Sequence, residues 1–301
     1  MDTFLECVAF VAGLVFGSFL NVCISRIPRD QSIIRPPSHC PRCDRPIRWF
    51  DNIPLLSWTL LRGRCRHCGH RISLRYPAVE LLTAIIFFAC YIAYGPALLM
   101  LKFCVFSFLL IGLIFMDAET RLLPREFTYP GIALGFAFAW IAPGDVSGAR
   151  FLFVAFGASM PGLHWLALID SALGALIGAG FFYLAWALYY LGRRRHGLGF
   201  GDIALMAMSG AFLGLKLILL VIFFAPITGV LYVLTALAFE RLHATSPQPS
   251  QGREALPPDD VGNGAQPFLQ REIPFGVFIG ACSLATIFFG ECIWTWYLGR
   301  F

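Results

Sequence analysis

The chain reads as an all-α, polytopic membrane protein with about eight transmembrane helices and one long hydrophilic loop near its start. Three observations carry that reading. The 301 residues are 58% hydrophobic and only 14% charged, with a mean hydropathy of +0.71, far from the composition of a water-soluble domain. Apolar stretches near the ~20 residues that cross a bilayer recur along the chain. Basic residues cluster between these stretches in a pattern that fixes their alternation.

In order, spans are expected at 4–24, 79–95, 97–116, 128–142, 170–191, 203–219, 220–240 and 275–298. The fourth is short, and the sixth and seventh are nearly fused. The apolar segment 151–168 contains Pro161, Gly162 and His164, which suit an interfacial or re-entrant piece better than a ninth crossing. Span one is expected to stay in the protein as an anchor: Asp2 and Glu6 precede it where a cleavable signal peptide carries basic residues. Gly174, Gly178 and Gly180 in span five suit close helix packing.

Between spans one and two lie Arg26, Arg29, Arg35, Arg42, Arg45, Arg48, Arg62, Arg64, Arg66, Arg71 and Arg75, 11 of the 23 basic residues. The positive-inside rule assigns this loop to the cytoplasm and the N-terminus to the outside. Eight alternating spans then turn Arg121 and Arg125, Arg193 to Arg195, and Arg241, Arg253 and Arg271 inward too. Three parts result: the first helix at 1–24, a hydrophilic cytoplasmic loop at 25–78, and a helical membrane body at 79–301. Within the body, residues 242–272 are rich in Pro, Gly, Ser and Gln and read as a disordered cytoplasmic loop.

The first loop carries CPRC at 40–43 and CRHC at 65–68, two C-x2-C pairs separated by 21 residues. In a reducing compartment such thiolates hold Zn²⁺ more readily than they form disulfides. Cys40, Cys43, Cys65 and Cys68 would close a tetrahedral shell and make the site structural. A redox dithiol pair is the alternative, and His39, His67 and His70 are substitute ligands within reach. Cys7, Cys23, Cys90, Cys104, Cys282 and Cys292 fall in or beside spans and read as small apolar residues.

Asp117 ends span three and Asp202 opens span six, both on the cytoplasmic side of the predicted topology. Charges at membrane depth are costly and point to function. Two carboxylates on one face of a bundle suit aspartic proteolysis, in which the pair shares a proton, activates water and polarises a scissile carbonyl. Gly199 and Gly201, in GFGD, would allow unusual backbone angles and close approach of substrate. The structural alternatives are a helix N-cap for Asp202 and a solvated helix end for Asp117. Glu119 points to another helical face than Asp117.

These residues give the chain a specific resemblance. GSFLNVCISRIP at 17–28, the paired C-x2-C loop with DNIPLLSW and ISLRYPAVE, MDAETRLLP at 116–124, GFGD at 199–202 and IPFG at 273–276 resemble the bacterial type IV prepilin peptidases. These are bifunctional leader peptidases and N-methyltransferases with an eight-span body of the G-x-G-D intramembrane aspartyl protease type. The resemblance implies that Asp117 and Asp202 are catalytic and that the four cysteines form a zinc site. It also implies prepilin and pseudopilin substrates of pili or type II secretion, an inner-membrane location, and S-adenosylmethionine as methyl donor. Three positions depart from the family pattern: Ala204 for Lys, Arg125 for an acidic residue, and Val277 for Pro in IPFGPF.

No soluble-type G-x-G-x-x-G fingerprint marks a cofactor site; Glu80, in RYPAVE, is a weak candidate for it. The tetracysteine loop argues against other intramembrane aspartyl proteases. A proton-coupled transporter with a zinc-stabilised cytoplasmic loop is the rival class, but it calls for polar pairs near mid-membrane. The loop's 11 Arg outweigh Asp30, Asp44 and Asp51 to a net +8, reduced to +6 by a Zn(Cys)4 centre. It is therefore expected to rest on anionic lipids. No nucleic-acid partner is expected, and the sequence is silent on oligomeric state.

Overall fold

Inside a bilayer every backbone amide must find its partner within the protein, which favours uninterrupted helices. A computed structural model describes residues 2–193, 199–244 and 273–299, and its regular structure there is helical apart from two isolated β-bridges. The helices are α1 (Asp2–Arg26), the short α2 (Leu56–Leu60), α3 (Arg75–Tyr94), α4 (Leu98–Thr120), α5 (Arg125–Ile141), α6 (Ser147–Ala155), α7 (Leu163–Arg193), α8 (Phe200–Ala244) and α9 (Phe275–Leu298). Six of them are long and apolar enough to cross a membrane: α1, α3, α4, α7, α8 and α9.

The expected count of eight differs from this in two places. The fourth expected span is α5, whose 17 residues rise only about 25 Å, less than the ~30 Å hydrocarbon core. The sixth and seventh are one continuous element, α8, broken at Gly214, where φ is 78°. The boundary expected at 219/220 therefore lies several residues too late.

Gly214 does more than kink the helix. Along α9, Ser209 meets Ser283 through a hydroxyl pair at 3.1 Å, Lys216 meets Glu291 at 2.6 Å, and Gly229 packs beside Phe275 and Phe278. The chain thus climbs α9 to residue 216 and descends again, so α8 folds back on itself at Gly214. Only a residue without Cβ fits there, because a methyl group at 214 would lie 2.0 Å from Asp170 Oδ2. Asp170 is buried and secures the reversal, accepting the N–H of Leu215 (3.1 Å) and of Ala149 on α6 (2.7 Å).

The remaining expectations are mixed. The segment 151–168 is not a single re-entrant piece: it is divided between the end of α6 and the first turns of α7, which begins before the expected 170. Gly174 and Gly178 do serve close packing, against Gly210, Gly214 and Met206, whereas nothing lies within 4 Å of a methyl built at Gly180. A second close pair, Gly13 and Gly17, brings α1 onto the backbone of α3 at Ala84 and Glu80. The disordered loop expected at 242–272 lies outside the described residues beyond position 244, as do Arg194 and Arg195.

Candidate active site and cysteine centre

The C-x2-C pairs fold as two copies of one turn. Cys40 N–H donates to Arg45 O and Asp44 N–H to Cys40 O; in the second copy Cys65 N–H donates to His70 O and Gly69 N–H to Cys65 O. The fifth position of each turn is left-handed, Asp44 at φ 56° and Gly69 at φ 67°. The turns bring all four Sγ atoms within 4.8 Å of one another, with Cys40 and Cys68 Sγ 3.7 Å apart. A tetrahedral zinc site with Zn–S of about 2.3 Å needs S···S near 3.8 Å, while a disulfide needs about 2.0 Å. The donor set and spacing therefore fit zinc, and all ten cysteines are free.

The N–H groups of Cys68 and His67 bring Cys65 down to about 7, while, against the N–H of His70, burial and hydrogen bonds with the neighbouring thiols push Cys68 up to about 11. Of the substitute ligands, His67 Nδ1 faces Arg45 at 3.2 Å and His39 faces Asp44 at 3.6 Å, so neither completes the sulfur cluster. Arg66 grips Asp51 with Nε and Nη2, which holds that carboxyl below its usual range and ties the second knuckle to the DNIPLLSW segment.

Asp117 lies in the last turn of α4, which Arg121 ends in the left-handed region with its N–H on Asp117 O. The carboxylate is buried, 5% exposed, and reaches the first turn of α9. There Oδ2 accepts the N–H of Val277 at 3.1 Å and is also approached by that of Gly276. The helix amides offer the partial positive charge that a carboxylate prefers. A proline at 277, as in the related IPFGPF pattern, would have no N–H to give.

Asp202 is likewise buried, 9% exposed. It is the third residue of α8 rather than its N-cap, and its carboxylate accepts the N–H of Gly199, in the manner of a capping-box acid. It lies within the field of the Asp117 charge. Leu123 packs between the two helix starts: a Cβ on Gly201 would meet Leu123 Cβ at 2.8 Å, and one on Gly276 would meet Asp117 Oδ2 at 2.9 Å and Leu123 Cδ1 at 3.0 Å. These glycines serve close approach. Gly201 does not take a left-handed backbone angle, so the expected conformational freedom is not used there.

Glu119 does face away from Asp117 and forms an ion pair with Arg75 at the start of α3. Glu80, the weak cofactor candidate, is 7% exposed and accepts the N–H of Leu55 at 2.8 Å. Leu55 itself has φ 57°, a strained angle for leucine. A polar cluster at the opposite end of the bundle has no local signature in the sequence. There Lys216 joins Asp145 and Glu291, near buried Lys102 and Asp170. The acidic and basic members are more than 40 residues apart, and no local pattern links them.

Residues 11–94 match the Bacterial Peptidase A24 N-terminal domain, and residues 104–234 match the type IV leader peptidase family. Among curated relatives, a prepilin leader peptidase/N-methyltransferase of Myxococcus xanthus is 42% identical over 73% of this chain and 59% of its own length. One of Aeromonas hydrophila is 30% identical over 97% of this chain and 93% of its own. One of Bacillus subtilis is 34% identical over 80% and 87%. No solved structure matches the chain.

Proposed function

The chain belongs to the type IV leader peptidase family, and from that premise we propose how its residues do the work. It is a multi-pass membrane enzyme that cleaves prepilin leaders and N-methylates the product, the activities named for its relatives. The transporter reading has no support.

Asp117 and Asp202 form the catalytic pair. The observation that carries this is their convergence: two buried carboxylates from α4 and α8, joined around Leu123, with the charge of one acting on the other. One carboxylate, ionised, takes a proton from a water molecule. The other, protonated, donates to the carbonyl oxygen of the peptide bond that follows the leader glycine. Proton exchange within the pair then delivers a proton to the departing amine. Amides of α9 hold Asp117 in place for this, and the amide of Gly199 does the same for Asp202.

Eight crossings result when the fold-back of α8 counts as two and α5, shorter than the hydrocarbon core, crosses where the bilayer thins around it, beside the other five long helices. The basic loop then lies in the cytoplasm with the catalytic pair, and the N-terminus outside. Zinc held by Cys40, Cys43, Cys65 and Cys68 ties the two knuckles together without taking part in cleavage. S-adenosylmethionine is the methyl donor; its sulfonium carries a methyl group that an amine can take. The basic loop docks on anionic headgroups, supported by the exposed Ile34, Trp49, Leu60 and Leu74 among its arginines.

The test is to incubate the purified protein with a synthetic prepilin, with and without S-adenosylmethionine, and to weigh the products. Loss of the leader in both reactions, with one added methyl only when the donor is present, is the expected result. An uncut prepilin would overturn the peptidase reading.

A further inference from the structure

A cleft of about 700 Å³ opens between the ends of α1 and α3 and the cysteine loop, within the size range of small-molecule sites. Its lining differs from the catalytic pair's surroundings. Two of its residues, Asn21 and Glu80, are buried and a third, Arg75, is half-buried, and the protein's own bonding leaves their polar groups incomplete or strained. Asn21, 2% exposed, spends its amide N–H groups on the carbonyls of Gly17 and Tyr76, and its Oδ1 has no donor among the described residues. Arg75 gives Nη1 to Glu119 and Nη2 to Ser25, while its buried Nε has no acceptor among the described residues. Glu80 brings a buried carboxylate, fixed through Leu55, whose strained backbone forms part of the same wall. Trp58 and Tyr76 add flat aromatic surface, and Arg75 stacks over the Tyr76 ring at 4.7 Å.

A buried polar atom without a partner costs roughly 1–3 kcal/mol, so this set is best satisfied by a ligand that supplies what is lacking. The ligand needs an N–H donor or cation for Asn21 and Glu80, a carboxylate for the arginine side, and a planar ring for the aromatic residues. We propose that this cleft is the seat of the methyl donor, a sulfonium-bearing amino-acid nucleoside, with Glu80 and Asn21 on its ammonium, Arg75 on its carboxylate and Trp58 or Tyr76 against its base. The proposal rests on the methyltransferase reading. Position supports it, because the Arg75–Glu119 pair joins the cleft wall to α4 two residues beyond Asp117. The pair thus links the cleft to the helix that carries Asp117. In the transfer, the amine lone pair forms the N–C bond, the C–S electron pair returns to sulfur as a neutral thioether, and one proton passes from nitrogen to water.

Binding is measured by calorimetry on the full chain in lipid nanodiscs, with S-adenosylmethionine, S-adenosylhomocysteine and adenosine as probes. Wild type, Glu80→Gln and Asn21→Leu are compared after zinc content and melting temperature show which variants are folded. At least tenfold weaker binding of both amino-acid probes is expected in each folded variant, and adenosine should bind much more weakly than either in wild type. Should Asn21→Leu fail to fold, Glu80→Gln and the adenosine comparison decide. Wild-type affinity in the folded variants, or adenosine binding as tightly as the donor, overturns the site. If the products also carry a methyl group, that result leaves the methyltransferase reading standing. A wild type that neither binds the donor nor methylates removes both.

Discussion

Gly201→Ala is the sharpest test of how the proposed catalytic pair is positioned. The new methyl would stand 2.8 Å from Leu123 Cβ, which is 0.6 Å inside the 3.4 Å where ordinary contact begins. Leu123 Cβ is the stem of its side chain and cannot swing away, so the first turn of α8 or the segment after α4 must shift. Either movement carries Asp202 or Asp117 with it. Overpacking of this kind costs about 1–3 kcal/mol of stability. Misplacing a reacting group by ~1 Å costs about a hundredfold in rate, so a shift of this size should lower kcat/KM by about tenfold or more. The neighbouring Gly199→Ala places its methyl 3.7 Å from Asp202 Oδ2, an ordinary contact, and should stay within about twofold of wild type. The assay is kcat/KM for a prepilin peptide, with melting temperatures measured in parallel. Wild-type kcat/KM in Gly201→Ala, or an equal loss in Gly199→Ala, would refute the reasoning.

Three further outcomes are expected. Metal analysis should find one zinc per chain, lost in Cys40→Ser combined with Cys65→Ser; a metal-free wild type with readily alkylated thiols would contradict the zinc site. Asp170→Ala strands two amides, of Ala149 and Leu215, and should destabilise the protein by roughly 2–5 kcal/mol; an unchanged melting temperature would show that the fold-back of α8 does not depend on it. Replacing Arg42, Arg45, Arg64 and Arg66 with Gln should abolish a gain in activity on anionic over neutral lipid, provided a reporter fusion shows unchanged topology; a wild type indifferent to anionic lipid ends the docking idea.

The parts of this protein that were legible in its sequence are those encoded by short-range chemistry. C-x2-C spacing specifies a sulfur knuckle because three residues span the turn, and the two copies then meet. Asp117 and Asp202 stood out because a carboxylate beside a long apolar run is costly. The reversal at Gly214 was misplaced because the sequence from 203 to 240 is apolar nearly throughout. Its breakpoint depends on Asp170, more than 40 residues upstream. The roles of Gly201 and Gly276 were hidden for a similar reason: what they make room for, Leu123, lies in a third segment. Arg75 and Glu119 looked like two unrelated interfacial charges until α3 and α4 were packed side by side.

The central claim is that Asp117 and Asp202 act as one catalytic unit. The direct measurement is single-turnover prepilin cleavage by Asp117→Asn, Asp202→Asn and the double variant, each shown to be folded by its melting temperature and zinc content. Each single exchange should abolish cleavage and the double should be no worse than either, because neither carboxylate works without the other. A folded single variant that cleaves at the wild-type rate would contradict it.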